Sequence, residues 1–220
     1  MACLVRKMEK RDLAQVSAID REAFPTMWPP VNFHHEMTNR LAHYVVACDP
    51  ARTPPGETGN TLQLVPVRSF WGIRWPFSGR SANTPALERV EFINGFVGMW
   101  LMVDEAHVIN IAVRAECRGK GIGELLLIAS MDMAYGLKAT CVTLEVRASN
   151  SVAQNLYTKY GFVKVGVRKG YYTDNKEDAH IMTTDILTMS AFKTRYQKLR
   201  AGHFQKLGPC EYRIDGQNPS

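Results

Sequence analysis

The sequence predicts a mixed α/β fold, in which helices flank a central, mostly antiparallel sheet. Residues 107–136 read as an apolar strand, a glycine-rich turn and an amphipathic helix that ends at Gly136. A further strand at 140–147 follows this helix, and a strand–helix–strand crossover makes the two strands parallel. The strands at 94–103 and 107–113 are separated by three residues, so we expect an antiparallel hairpin.

The composition is typical of a globular protein with one core. The 220 residues are 45% hydrophobic and 22% charged, which suits one domain with an insertion. The net charge of +6 is compatible with phosphate groups or RNA as partners, although many proteins are this basic. The five scattered cysteines predict reduced thiols in a cytoplasmic compartment, not a disulfide framework or a zinc site. No run of residues is apolar enough for a signal peptide or a membrane span.

The first part of the chain predicts two strands and two helices. Residues 3–9 form the first strand, and Asp12 is the expected cap of a helix with an apolar face of Leu13, Val16, Ile19 and Ala23. The segment 24–30 contains three prolines and breaks this helix. A short helix is expected within 31–40 and a strand at 41–48.

Residues 49–92 are rich in Pro, Gly, Ser and Thr and exceed a normal connection in length. We interpret them as an insertion between the second and third strands. The run FWGIRWPF within it lies near Arg68, Arg74 and Arg80, and aromatic residues among arginines can stack on nucleic-acid bases. The favoured alternative is a loop that folds back onto the domain or onto another subunit.

The last part predicts a short helix capped by Ser149 and Asn150, and then strands at 162–168 and 179–187. Residues 190–207 form a final amphipathic helix with an apolar face of Phe192, Tyr196, Leu199, His203 and Leu207. Its basic side could touch RNA, but a solvated face is the commoner case. The prediction is therefore a single domain at 1–189, followed by a helix and tail at 190–220.

The turn at 118–123, RGKGIG, indicates anion binding. Glycines before a helix leave its first N–H groups uncovered at the positive end of the helix dipole, where phosphate binds. The turn is not a Walker loop, because Gly121 stands where the lysine and hydroxyl residue should follow. It is not a dinucleotide-binding fingerprint either, because the third glycine comes one residue too early. The alternative is a tight strand-to-helix turn without a ligand.

Several motifs together resemble the GNAT family of N-acetyltransferases. RGKGIG is similar to the Q/R-x-x-G-x-G/A signature of that family. The runs LEVRASN, LYTKYGF and DAHIM, in this order, resemble the RimI-type ribosomal-protein-alanine N-acetyltransferases. The resemblance spans about 110–182, with a weaker match near the start of the chain. It implies the GNAT fold, acetyl-CoA as cosubstrate, no metal, and transfer to the N-terminal alanine of a small-subunit ribosomal protein.

The resemblance also assigns the coenzyme-binding residues. Backbone amides of the glycine-rich turn would hold the pyrophosphate, one strand edge would pair with the pantetheine arm, and the Val113 amide would bind the thioester oxygen. The assigned residues are Ile111, Ala112, Val113, Arg118, Gly119, Lys120, Gly121, Ile122, Gly123, Glu124 and Asn150.

Glu145 is the expected general base. A carboxylate within the apolar strand CVTLEV needs a partner or a raised pKa, so it either acts as a base or pairs with Arg147 or a lysine. The match of L-E-V-R-x-S-N to the RimI pattern implies the base. An α-amine has a pKa of about 8, so roughly a tenth is already neutral at pH 7 and a glutamate acting through water suffices.

Tyr157 is the expected general acid, because a phenol stays protonated at neutral pH and can donate to a leaving thiolate. Its alternative role is a core tyrosine, and the L-Y-x-x-x-G-F match favours the proton donor. The resemblance places Phe24, Pro25, Tyr171 and Tyr172 around the acceptor, while a helix stop and surface packing are equally good explanations of these four residues.

The histidines show no spacing typical of a metal site, so we expect surface side chains and no metal. Two other functions remain open. The same cofactor site could serve lysine or small-amine acetylation, or the chain could be a non-catalytic acetyl-CoA-binding or ribosome-docking module. Retention of Glu145 and Tyr157 argues against the module.

Overall fold

The strands of the computed structural model form one mixed sheet, with helices packed on both faces. The structure describes residues 3–26, 30–54 and 90–214. The strands in this part are β1 (Cys3–Lys7), β2 (Ala42–Asp49), β3 (Phe92–Met102), β4 (Glu105–Val113), β5 (Cys141–Arg147), β6 (Phe162–Tyr172), β7 (Glu177–Thr184) and β8 (Cys210–Arg213). The helices are α1 (Leu13–Ala23), α2 (Phe33–Glu36), α3 (Ile122–Gly136), α4 (Ser151–Lys159) and α5 (Ser190–Leu207).

The strand order is β6-β7-β5-β4-β3-β2-β1-β8. The predicted hairpin of β3 and β4 and the predicted parallel pair of β4 and β5 are both confirmed. The parallel pairing runs only from Glu105–Cys141 to Val108–Leu144, although both strands continue beyond these residues. A bulge at Ile109, where the register with β3 shifts, turns the rest of β4 away from β5. The sheet therefore parts between its two central strands.

Two apolar cores lie on the two faces of the sheet. Helix α3 packs on one face against β2, β3, β4 and β5, and α1 packs on the other face against β3 and β4. The predicted face of α1 is confirmed, because Leu13, Val16 and Ile19 are buried. Helix α3 is buried around most of its circumference, because α5 covers the side that faces away from the sheet.

The start of α1 differs in part from the prediction. Asp12 occupies the N-cap position of α1, as predicted, but it also ends a 3-10 turn at Lys10–Asp12 and its side chain makes no capping hydrogen bond to α1. Its carboxylate accepts hydrogen bonds from the Glu9 backbone N–H at 2.8 Å and from Arg6 at 2.7 Å. The buried arginine therefore draws the Asp12 carboxylate inward, and Glu9 caps the preceding 3-10 turn.

The turn between β3 and β4 is shorter than expected. It contains Val103 and Asp104, and not three residues. Val103 has φ 59°, as a two-residue hairpin turn requires, although a β-branched side chain rarely adopts this conformation. The side chain avoids its neighbours because it is 99% exposed.

The C-terminal segment, predicted to be a helix followed by a tail, also contains a strand. Strand β8 pairs in parallel with β1, so that Cys210 lies opposite Cys3. The two thiols are free, and Sγ of Cys210 lies 2.7 Å from Sγ of Cys3. Helix α5 and β8 are both tied to Asp132 of α3, which accepts hydrogen bonds from Tyr196, Tyr212 and Arg200.

Most of the predicted insertion, including FWGIRWPF and its neighbouring arginines, lies outside the described residues. The described ends of this segment are residues 49–54 and 90–92, at the end of β2 and the start of β3. Among the helices that the structure describes, none combines the length and the apolar character needed to cross a bilayer.

Candidate active site

A cleft opens where β4 and β5 part. It has a volume of ≈ 240 Å³ and lies between the second half of β4 and the carboxyl end of β5. The predicted site residues that line it are Phe24, Ile111, Glu145, Asn150, Tyr157, Tyr171 and Tyr172. The fold therefore brings residues from α1, β4, β5, α4 and β6 to one place.

Two basic side chains hold Glu145, whose side chain is 9% exposed. Nε2 of His107 lies 2.6 Å from its Oε2, and Nη2 of Arg168 lies 3.0 Å from its Oε1. The hydrogen bond with His107 holds the pKa of Glu145 below its usual value, with help from the charge of Arg168, although burial acts in the opposite direction. Glu145 is therefore an ionised carboxylate at neutral pH.

The pairing of Glu145 differs from the alternative that the sequence left open. Arg147 does not pair with Glu145, because its guanidinium turns toward the β6–β7 turn and binds Asp174 at 2.9 Å and Glu177 at 3.2 Å. The partners of Glu145 come instead from β4 and β6, the strands on either side of the parted sheet.

The prediction of an isolated surface histidine at position 107 is wrong. The parallel register sets His107 opposite Thr143, and Glu145 follows two residues later on the same face. The predicted parallel pairing of these two strands is the sequence signal that could have brought His107 and Glu145 together. His203 is 7% exposed, which confirms its place on the apolar face of α5 and contradicts the expectation of a surface side chain, while His34 and His35 are exposed as expected.

Tyr157 projects from α4 and borders the cleft while its ring packs in the core. The side chain is 5% exposed, and its ring centre lies 5.7 Å from that of Phe162. Burial raises the pKa of Tyr157 well above its ordinary value, so the phenol keeps its proton throughout the physiological range. The two roles that the sequence suggested for Tyr157 are compatible with one another.

The other side of the cleft carries aromatic residues. Phe24 ends α1 and lines the cleft, whereas Pro25 is exposed and lies outside the lining. Tyr171 and Tyr172 line the cleft with their rings edge to face, 5.2 Å between centres. The predicted strand at 162–168 left both tyrosines in the connection that follows it, and this is wrong because they are the last residues of β6. The strand is longer because the turn, with the left-handed Lys176, comes only after Tyr172.

Two loops meet beside these tyrosines. Oγ1 of Thr26 donates to Oδ2 of Asp174 at 2.8 Å, and Arg147 binds the same carboxylate oxygen at 2.9 Å. The Arg147 guanidinium also lies 3.9 Å from the centre of the Tyr172 ring. A second pocket of ≈ 200 Å³ adjoins these contacts, and Phe24 and the two tyrosines line it too. The contacts join the loop after α1 to the β6–β7 turn.

The glycine-rich turn follows β4 and leads directly into α3. Gly119 has φ 72° and Gly121 has φ 82°, a conformation that favours glycine. The first backbone hydrogen bond of α3 runs from the Leu125 N–H to the Gly121 carbonyl at 3.0 Å, so the amides of residues 122–124 precede the helical ladder. The turn therefore presents backbone donors at the positive end of a long, buried helix.

The side chains around this turn face in several directions. Nε of Arg118 donates to the Val113 carbonyl at 3.1 Å, and Nζ of Lys120 donates to the Glu116 carbonyl at 2.9 Å. Ile122 and Ala112 are buried in the core, so only their backbone groups can reach a ligand. Oδ1 of Asn150 accepts the Ala153 N–H at 3.1 Å and caps α4 as predicted. A role of Asn150 in coenzyme binding stays a prediction.

The loop and the cleft fit a coenzyme that carries a diphosphate. A Cβ atom added to Gly119 would meet no atom within 4 Å, so the turn faces open space there. Nε2 of His203 is buried beside Gly121 and has no hydrogen-bond partner in the part of the chain that the structure describes. In the same part of the chain, no three His, Cys, Asp or Glu side chains are grouped to hold a metal ion.

Known proteins resemble the chain in sequence. The model of the acetyltransferase (GNAT) family matches residues 74–162. A Bacillus subtilis protein, provisionally named a [ribosomal protein bS18]-alanine N-acetyltransferase, is 32% identical over 83% of this chain and 95% of that protein. An N-alpha-acetyltransferase of Saccharolobus solfataricus is 50% identical over 83% of this chain and 92% of that protein.

A solved structure shows the same fold. The ribosomal-protein-S18-alanine N-acetyltransferase of Escherichia coli superposes with a TM-score of 0.59 and 24% identity, over 84% of this chain and 94% of that one. In this match and in the two sequence matches, the aligned region covers nearly the whole length of the related protein. The chain therefore belongs to the acetyltransferase (GNAT) family and is an N-acetyltransferase.

Proposed function

We propose that the chain transfers the acetyl group of acetyl-CoA to the α-amine of a protein N-terminus, namely the N-terminal alanine of a small-subunit ribosomal protein. The cleft between the parted strands carries this proposal, because Glu145 and Tyr157 border it and the glycine-rich turn follows β4. The names of the Bacillus subtilis and Saccharolobus solfataricus relatives support an α-amine acceptor, and the first of them supports a ribosomal one.

Backbone groups would hold the coenzyme, which supplies the acetyl group as a thioester. The amides of residues 119–124 would bind the diphosphate, with Arg118 and Lys120 adding positive charge. The open edge of β4 at Ile111, Ala112 and Val113 would pair with the pantetheine arm, because β5 no longer pairs with these residues. The Val113 amide would donate to the thioester oxygen, where negative charge develops.

Glu145 would accept the proton of the amine through water, with His107 holding the carboxylate in place. The amine nitrogen then forms a bond to the acetyl carbon, and the carbon–sulfur bond breaks. Tyr157, whose raised pKa keeps the phenol protonated beforehand, would give its proton to the leaving thiolate and regain one from the solvent. The low pKa of Glu145 suffices, since an α-amine has a pKa of about 8.

The aromatic wall would hold the acceptor. Phe24, Tyr171 and Tyr172 border the cleft beside Glu145, and the contact of Thr26 with Asp174 keeps their two loops together. Pro25 would contribute from the rim. We further infer one catalytic domain at 1–189 with the insertion at 49–92, followed by a C-terminal segment at 190–220. A ribosomal acceptor would place the reaction in the cytoplasm.

A peptide assay tests this function. The protein is incubated with acetyl-CoA and a library of N-terminal peptides, and the products are analysed by fragmentation mass spectrometry. We expect acetylation of the α-amine of alanine-starting peptides, and none on N-terminally blocked peptides that contain lysine. Acetyl-lysine on the blocked peptides would instead assign a lysine acetyltransferase.

Substitution of Glu145 links the activity to the cleft. We expect Glu145→Gln to lower kcat by roughly 10²-fold or more, as for the loss of a general base, while the exposed Glu211→Gln keeps full activity. CoA titration should give the same affinity for both variants. Full cellular acetylation by the double variant Glu145→Gln, Tyr157→Phe would point to a binding module without turnover.

A further inference from the structure

Helix α5 ends against the glycine-rich turn. Cε1 of His203 lies 3.1 Å from the position that a Cβ atom on Gly121 would occupy, and Cδ1 of Leu207 lies 3.8 Å from it. The imidazole thus occupies space that only a glycine leaves open. The end of the C-terminal helix is thereby a neighbour of the N-terminus of α3, far away in sequence.

His203 carries an unpartnered polar atom at this contact. The residue is 7% exposed, and its Nδ1 lies 3.5 Å from Oε2 of Glu124. Its Nε2 is buried, faces Gly121 and makes no hydrogen bond within the described ranges of the chain. A buried nitrogen without a partner is costly, so such atoms generally have a ligand or a water to bind.

The charges around His203 favour an anion. Within the described part of the chain, the carboxylate that faces His203 is that of Glu124, which is already held by Nζ of Lys159 at 2.5 Å and by the Tyr160 hydroxyl at 2.6 Å. Lys206 stands on the next turn of α5. Burial lowers the pKa of His203, and the two lysines act in the same direction against Glu124. The negative charge of Glu124 is therefore balanced by Lys159, and Lys206 adds further positive charge near His203.

We propose that α5 forms the outer wall of the coenzyme's diphosphate site and that His203 binds there with both ring nitrogens protonated, so that Nδ1–H faces Glu124 and Nε2–H donates to the diphosphate held by the amides of α3. The inference rests on the proposed function, because it requires CoA to bind at the glycine-rich turn. It adds a binding residue that no motif in the sequence indicates. It also gives the C-terminal segment a part in coenzyme recognition.

Calorimetric titration with CoA tests the proposal on the full chain. His203→Met fills a similar volume without the ring nitrogens, and we expect it to weaken CoA binding about tenfold or more, the effect of a lost hydrogen bond to a charged group. His203→Gln keeps an N–H donor and should bind CoA within about threefold of the parent protein. The control is Gln205→Leu, which changes an exposed position of the same helix and should leave the affinity unchanged.

Acetyl-pantetheine separates the diphosphate contact from a general structural effect, because this donor lacks the nucleotide and its diphosphate. We expect His203→Met to raise KM for acetyl-CoA while kcat, and kcat/KM with acetyl-pantetheine, stay as in the parent protein. An equal loss with both donors would assign His203 a structural role only and overturn the proposal. Unchanged CoA affinity in His203→Met would overturn it as well.

A second variant covers the case in which His203→Met does not melt cooperatively. Leu207→Ala removes side-chain atoms from the same wall. We expect it to weaken CoA binding and to leave kcat/KM with acetyl-pantetheine unchanged. A CoA affinity equal to that of the parent protein would contradict the proposal. Failure of the parent protein itself to bind CoA would reject the proposed function together with this inference. Tight binding by the parent protein with no loss in either variant would reject the inference alone.

Discussion

Nε2 of His107 lies 2.6 Å from Oε2 of Glu145, so the general base proposed for this enzyme is half of a hydrogen-bonded pair. The pair joins two strands that separate immediately beyond it. Activity should therefore depend on His107 as well as on Glu145, because the imidazole holds the carboxylate and lowers its pKa.

His107→Leu should change the pH dependence of the reaction. The hydrogen bond from His107 is the main reason for the low pKa of Glu145, so its loss raises that pKa while burial continues to act upward. A base must be deprotonated to work, and the acidic limb of the pH–rate profile should therefore move to higher pH. The profile of kcat/KM for an alanine-starting peptide measures this. The exposed His34→Leu should leave the limb in place, and an unmoved limb in His107→Leu would refute the pairing argument.

Tyr157→Phe should lower kcat by roughly 10²-fold or more, since the change removes a proposed general acid. The ring contact with Phe162 remains, so the melting temperature should hardly change. Tyr135→Phe is the matched control: its hydroxyl donates to the Leu187 carbonyl at 2.9 Å outside the cleft. That variant should lose about 1 kcal/mol of stability and keep its kcat. Comparable kcat values for both variants would exclude Tyr157 as the acid.

Gly121→Ala should destabilise the protein and weaken CoA binding. Gly121 has φ 82°, which costs about 1–2 kcal/mol for a residue with a side chain, and the new methyl group would press on His203. Gly202→Ala is the opposite case, because Gly202 lies inside α5 with open space around it. It should gain about 0.5–1 kcal/mol. Urea denaturation measures both free energies, and a stabilising Gly121→Ala would contradict the described turn.

Asp132→Asn should loosen the C-terminal segment. Asp132 is 2% exposed and accepts hydrogen bonds from Tyr196 at 2.6 Å, Tyr212 at 2.7 Å and Arg200 at 3.0 Å. Removing one partner of a buried ion pair costs about 3–5 kcal/mol, so the urea midpoint should fall and amides of α5 and β8 should exchange faster. The exposed Asp185→Asn should change stability by less than about 0.5 kcal/mol. Similar midpoints for both variants would show that Asp132 is not an anchor.

The parts of the fold that depend on neighbouring residues could be predicted from the sequence. The hairpin of β3 and β4 and the crossover through α3 follow from short-range patterns, and their pairing is confirmed. The separation of β4 and β5 at Val108 could not be predicted, because it arises from a bulge at Ile109 whose apolar side chain gives no local signal.

The unpredicted features all depend on contacts distant in sequence. Strand β8 is four residues long and forms only because β1 offers an unpaired edge. Asp12 stands at the N-cap position of α1 but makes no capping hydrogen bond, because its carboxylate binds the buried Arg6. The sequence predicts His203 on the apolar face of the last helix, but no residue near it in the sequence indicates that it contacts Gly121.

The bulge at Ile109 gives the sheet two free strand edges in its interior, one on β4 and one on β5. Free strand edges on a protein surface invite other chains to add a strand, which is a route to aggregation. Here the two edges face one another across a narrow gap that Phe24, Tyr171 and Tyr172 border. The molecule can thus keep unpaired backbone available for an extended small molecule while shielding it from self-association.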